Sequence, residues 1–170
     1  MTIKEQLKVV VASLHDALRS VKGRSYPAGD VIHLLDELRI KPGAPSAGVM
    51  FWTEDPQSEI AELGKVLRGF KAVVSRGKGF KVISGESLTE GAEGGPPMFD
   101  LVELVRSTIL GLRMADEQGE LQIPVYQGTG PFEVSGLILD AYEVKFALYA
   151  QIPQQDGIPV PDVMDGNDEL

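Results

Sequence analysis

A chain of 170 residues with 43% hydrophobic content can bury one sizeable core, so a single domain with decorated loops is the expectation. It contains no cysteine, which excludes disulfides, thiolate nucleophiles and thiolate metal sites and suits a reducing compartment. The net charge of -9 is unevenly placed: residues 154–170 hold Asp156, Asp162, Asp165, Asp168 and Glu169 without a Lys or Arg, whereas residues 64–83 hold Lys65, Arg68, Lys71, Arg76, Lys78 and Lys81 without an acid. Asymmetry of this kind favours surfaces that meet other surfaces.

Residues 3–22 place Ile3, Leu7, Val10, Val11, Leu14, Leu18 and Val21 three or four apart, the spacing of an amphipathic helix. Gly23 is placed to end it. Charges interrupt the apolar residues of this segment and no small-residue cleavage pattern follows, so no signal peptide is expected, and no stretch reaches transmembrane length. Tyr26-Pro27-Ala28-Gly29 reads as a turn, after which Asp30 can cap a short helix carrying Val31, Leu34, Leu35 and Leu38, with a strand as the lesser alternative. Pro42, Gly43 and Pro45 stop that helix and lead into an apolar strand over residues 47–53.

Residues 54–62 are polar, contain Pro56 and read as a loop or a single helical turn. A second strand follows over residues 66–75, with Arg68 and Phe70 on one face and Lys71 and Val73 on the other, because side chains alternate along a strand. Gly77 and Gly79 bracket a turn, residues 80–83 can extend the sheet, and the glycine-rich stretch 85–97 predicts a long loop. A second long helix is predicted over residues 97–113, with Pro97 at its edge, Asp100 and Glu103 near its positive end, and Gly111 or Gly119 as its stop.

Residues 121–126 and 132–139 predict strands on either side of a Gly/Pro turn at residues 127–131. The last strand alternates, with Tyr142, Val144, Phe146 and Leu148 facing a core and Glu143, Lys145, Ala147 and Tyr149 facing a half-solvated side. The element order gives an α+β fold, a mostly antiparallel sheet with two long helices packed on one face. Residues 1–152 form that domain, and 153–170 an extended acidic, proline-containing C-terminal arm whose Ile158, Val160, Val163 and Met164 suit contact with a neighbouring subunit.

Signatures of catalysis are missing. His15 and His33 lack the spaced partners of a metal face. The glycines of Arg76-Gly-Lys-Gly79 are not followed by the Lys-Ser/Thr and helix of a phosphate loop. Ser87 lacks both the second glycine of a nucleophile elbow and any later histidine to serve as base. Glu86, Glu90 and Glu93 lie in a loop, without the fixed separation that paired-carboxylate chemistry needs. No enzyme activity, cofactor or metal is expected. The stretch from Lys65 to Lys81 reads either as a solvated, pairing-resistant edge or as a contact surface; its few aromatics, Phe70 and Phe80, do not make a stacking platform for single strands.

Three segments together resemble a known family: the first helix with Ser25-Tyr26-Pro27 after it, the strand over residues 69–75, and the block from Phe99 through residues 142–146. This pattern resembles phage and prophage tail terminator, or tail-completion, proteins over roughly residues 3–151, through element order rather than a strict motif. The resemblance implies a structural virion protein, assembled in the host cytoplasm as a homohexameric ring that caps the tail tube and sets its length. It implies the tube, possibly the sheath, and the head connector as partners, DNA only as passing cargo, and no membrane. Arg68, Lys71, Arg76, Lys78 and Lys81 are then expected at a subunit interface or facing the lumen, and Asp156, Asp162 and Asp165 on an inter-subunit arm. The glycine-rich loop and the acidic arm depart from a minimal terminator and leave room for a neighbouring connector or neck protein, or a non-viral binding adaptor.

Overall fold

The computed structural model describes residues 1–40, 44–55, 64–76, 89, 96–116, 118–134 and 137–152. The predicted elements at residues 77–83, nearly all of the predicted loop at 85–97 and the arm at 153–170 lie outside that set. The fold is α+β. Its main sheet is mixed, with strands in the order β1-β2-β3-β7-β6: β1 (Arg24–Pro27), β2 (Ser46–Asp55), β3 (Lys65–Ser75), β6 (Val125–Val134) and β7 (Leu137–Gln151). Two short strands, β4 (Met114–Ala115) and β5 (Leu121–Gln122), pair as a separate ribbon.

Helix α1 (Ile3–Leu18) starts at a capping box, in which the Thr2 hydroxyl accepts from the Glu5 N–H and the Thr2 N–H donates to the Glu5 carboxylate at 2.7 Å. The Thr2 N–H, and after it the Thr2 hydroxyl at 3.0 Å, donate to the Glu5 carboxylate and hold it below its ordinary range. The helix ends earlier than its apolar spacing predicts: a 3-10 turn covers Arg19–Val21, and Lys22, not Gly23, adopts the left-handed conformation at φ 56°. Gly23 answers a different need, because a Cβ there would stand 2.8 Å from the Pro45 carbonyl oxygen.

The predicted turn at Tyr26 begins instead as strand β1, which runs parallel to β2 from Arg24↔Ser46 to Pro27↔Val49. Pro27 is tolerated because β1 is an edge strand. Parallel neighbours need a crossover, and α2 (Val31–Ile40), capped by Asp30 through a 2.7 Å bond from the His33 N–H, lies within it. Helix α2 packs on the opposite face from α1, where Leu34 meets Tyr26, Met50 and Val73. Helices therefore lie on both faces of the sheet. Arg24 fastens this crossover by a 3.0 Å ion pair to Glu37, with its guanidinium 4.7 Å from the Tyr26 ring centroid.

The larger core lies on the first face. Val10, Leu14 and Leu18 of α1 and Leu101, Val105 and Ile109 of α3 (Met98–Gly111) pack with Val49, Phe70, Ala72, Val144, Phe146 and Leu148 from the sheet. Phe70 and Phe146 are register partners with stacked rings 5.7 Å apart, and Phe51 meets Phe70 edge-on at the same centroid distance. The split of Arg68 and Phe70 from Lys71 and Val73, and the alternation of Val144, Phe146 and Leu148 against Glu143 and Lys145, follow the predicted faces.

The Gly/Pro segment at 127–131 is not a turn. It lies inside β6, which continues through register shifts between Tyr126 and Gly128 and between Pro131 and Glu133 as far as Val134, which pairs with Leu137 of β7. Glycine at φ 132° and proline are accommodated because β6 is an edge strand with bulges. The predicted strand at 121–126 is also divided, by Ile123 and Pro124, into β5 and the start of β6.

Two stability experiments follow. Phe70→Ala removes the ring joining both aromatic contacts and is expected to cost about 3–5 kcal/mol in urea unfolding. Burial pushes the Tyr26 phenol above its ordinary 10.0, opposed by Arg24 and Ser46. The folded state therefore holds this proton more tightly than the unfolded chain. That contribution is complete below the ordinary value and is lost as pH rises through the raised one. Tyr26→Phe is expected to flatten the alkaline decline in urea midpoint; an equal decline in both proteins would count against it.

Candidate functional site

The second face of the sheet divides into zones. Near α2 it is apolar and covered. Next comes a belt of charge, where Glu143 receives Lys71 at 3.6 Å and Lys145 at 3.0 Å, and the Lys71 ammonium stands 5.8 Å from the Phe132 ring centroid. Beyond the belt, Gly69, Ala147 and Val125 lie in one row, and Leu67 and Tyr149 in the next. A Cβ on Gly69 would come within 2.7 Å of Thr53 and 2.8 Å of the Trp52 indole, so glycine is what lets these side chains settle on the sheet.

This far zone is apolar and open. Trp52 is 50% exposed, Leu121 58%, Ile123 49% and Tyr149 39%. Leu121, Ile123 and Tyr149, with Val125, line one groove, so their exposure is contiguous rather than scattered. At its end, a groove of about 510 Å³ runs between β5, the start of β6 and the end of β7, lined by Leu121, Ile123, Val125 and Tyr149 with Lys65, Asp116 and Glu120 around them. The β4–β5 connection is ordered by Asp116, whose carboxylate accepts from the N–H groups of Gln118 and Glu120 at 2.9 and 2.7 Å.

A buried polar chain holds the groove's wall against the core. Arg68 pairs with Glu54 at 2.8 Å and donates to the Met1 carbonyl at 2.9 Å and to Gln6 Oε1 at 3.1 Å. Gln6, fully buried, donates from Nε2 to Gln122 Oε1 at 3.1 Å and to the Tyr149 carbonyl at 3.0 Å. Thus α1, β3, β5 and β7 are joined by one set of bonds. The groove is built on that support, not on a free loop.

The basic residues singled out from the sequence do not gather on one surface. Arg68 points into the α1 face, and Arg76 is buried with Asp140, Nε to Oδ2 at 3.4 Å. Lys71 belongs to the charge belt on the other face. Lys78 and Lys81 lie outside the described residues, as do Asp156, Asp162 and Asp165. Sequence reasoning missed Gln6, Gln122 and the open apolar zone. The signal for Gln6 was its place four residues before Val10 on the stripe that continues to Leu14 and Leu18. The signal for the zone was the alternation of Leu121, Ile123 and Val125.

Metal chemistry has no candidate cluster of His, Asp or Glu among the described residues. His15 and His33 instead accept backbone N–H bonds, from Ser25 at 3.4 Å and from Gly29 at 3.2 Å. Among the described residues, no helix is long and apolar enough to cross a membrane. In comparisons with known proteins, the chain matches no family model and no curated sequence.

The two cationic environments predict different costs. Arg68→Met strands the buried Gln6 oxygen and loosens Glu54, with an expected loss of about 1–3 kcal/mol in urea unfolding. Lys71→Met breaks a partly solvated pair and is expected to cost less than about 1 kcal/mol. Equal losses would contradict the difference in burial.

Proposed function

We propose that this chain is a structural assembly protein, a phage tail terminator that forms a homohexameric ring, caps the tail tube and offers a docking surface to the head connector. The observation that carries the assembly reading is the exposed apolar lining of the groove, Leu121, Ile123, Val125 and Tyr149. Left in water, such a zone is unfavourable by roughly 25 cal/mol per Å² of apolar area that a partner could cover. The tail assignment rests on the sequence resemblance in element order, and the α+β fold with α1 and α3 over one core is compatible with it.

In this reading the second face supplies subunit contacts. Lys71 and Lys145 beside Glu143 present charge next to the apolar zone, where it selects partners and orientation more than it adds affinity. Arg68 and Arg76 act within the subunit instead, which narrows the expected basic interface to Lys71 with Lys78 and Lys81. The acidic arm, with Asp156, Asp162 and Asp165, contacts a neighbouring copy, and a ring requires such heterologous pairing of two different surfaces. No catalytic step or cofactor is assigned, DNA passes as cargo, and the place of action is the virion tail.

Solution mass and negative-stain imaging test this reading. Rings are expected, alone or on tail tubes, and Lys71→Glu with Lys78→Glu is expected to weaken them while leaving the urea unfolding free energy within about 1 kcal/mol of wild type. A chain that stays monomeric alone and in the presence of tubes rejects it.

A further inference from the structure

We propose that α2 is a lid over Tyr26: it lifts from the second face as a unit and releases the Tyr26 hydroxyl to water, while α1 and α3 stay packed on the first. The inference stands apart from the assembly reading and holds equally for a ring subunit and a monomer.

The lid is seated at Gly48. A Cβ there would meet Leu34 of α2 and the phenol end of Tyr26, each at 3.0 Å, so these two side chains close together over one bare spot of the sheet. Leu34 is fully buried, with Val31 and Leu35 partly buried beside it. The closed arrangement carries a penalty. The Tyr26 hydroxyl is buried without a hydrogen-bond partner; Ser46 stands near it without making one. A buried hydroxyl whose bond is unmade bears its full desolvation cost, which opening recovers.

The two faces are held unequally. Helix α1 backs closely onto β1, β2 and α3, whereas α2 makes few such approaches to any element. Its other tie is the Arg24–Glu37 ion pair, whose side chains are partly solvated, so that water competes for both charges. The outer side of α2 carries Ile32, 70% exposed. The chain leaves the sheet after Ala28, whose N–H donates to the Val49 carbonyl at 2.8 Å, and Gly29 follows as the pivot. Local opening draws first on the least supported element and leaves the rest native. Here it uncovers Met50, Val73, Phe132 and Ala141 together with Tyr26.

The absence of cysteine makes the test direct. Val49 and Met50 are neighbours on β2, Val49 in the core under α1 and α3 and Met50 in the cluster under α2. In Val49→Cys and Met50→Cys proteins, the rate of labelling by a soluble disulfide reagent therefore reports the opening of one face at a time. Position 50 is expected to label at least about tenfold faster than position 49, with little dependence on low urea. Ile109→Val loosens the first face and is expected to speed labelling at position 49 by about two- to tenfold while leaving position 50 unchanged. Tyr26→Phe removes the unpartnered hydroxyl and is expected to slow labelling at position 50 by about threefold or more. In the unsubstituted chain, the amides of residues 35–37 are expected to exchange about a hundredfold faster than those of Val10 and Leu14. Equal labelling at the two positions, acceleration of both by Ile109→Val, or a position 50 indifferent to Tyr26→Phe overturns the lid. Equal amide exchange in α1 and α2 overturns it without any substitution.

Discussion

The arrangement depends on a buried charge that has been given enough partners. Arg68 lies on the core face of β3, where an isolated guanidinium would be strongly disfavoured. Glu54 balances its charge, and the Met1 carbonyl and Gln6 take further N–H groups. Gln6 passes the interaction on to Gln122 and the Tyr149 carbonyl. Each neutral bond contributes only about 0.5–1.5 kcal/mol net, yet leaving one unmade in this setting costs more than making it returns. The set therefore acts mainly on specificity: rotation of α1 about its axis would break the bonds at Gln6 together.

The sheet places this support and the candidate surface back to back. One face receives α1 and α3 and forms the main core; the other is covered near α2 and open beyond the Lys71–Glu143–Lys145 belt. Small residues shape both ends of the second face. Gly48 leaves room for Leu34 and Tyr26, where a Cβ would meet either at 3.0 Å, and Gly69 leaves room for Trp52. The same device draws in a helix at one end and a large exposed side chain at the other.

Sequence periodicity revealed the strong elements because burial there is one-sided and regular. The stripes of α1 and α3 and the alternation of β3 and β7 follow from that regularity. It failed where local signals were overruled by sheet position. Tyr26-Pro27 reads as a turn, but an edge strand parallel to β2 can accept proline; Gly128 and Pro131 read as a turn, but bulges absorb them into β6. The site was less legible than the fold. Counting charges along residues 64–83 grouped Arg68, Lys71 and Arg76, while the fold separates them by face and by burial. Gln6 was hidden because a polar residue on an apolar stripe is interpretable only when its distant partners, Gln122 and Tyr149, are placed beside it.

The irregular ladder of β6 bears on whether the sheet can be extended at this edge. A long, regular edge strand invites another chain to extend the sheet, and such addition can repeat without limit. Here Pro131 lacks an N–H, Gly128 turns the backbone, and two register shifts break the spacing that an incoming strand would need to match. Open-ended growth along this edge is thereby discouraged. In the proposed assembly, contacts therefore fall to the open face and groove, where the shapes of two finite surfaces, not a repeating backbone, would set the extent of the contact.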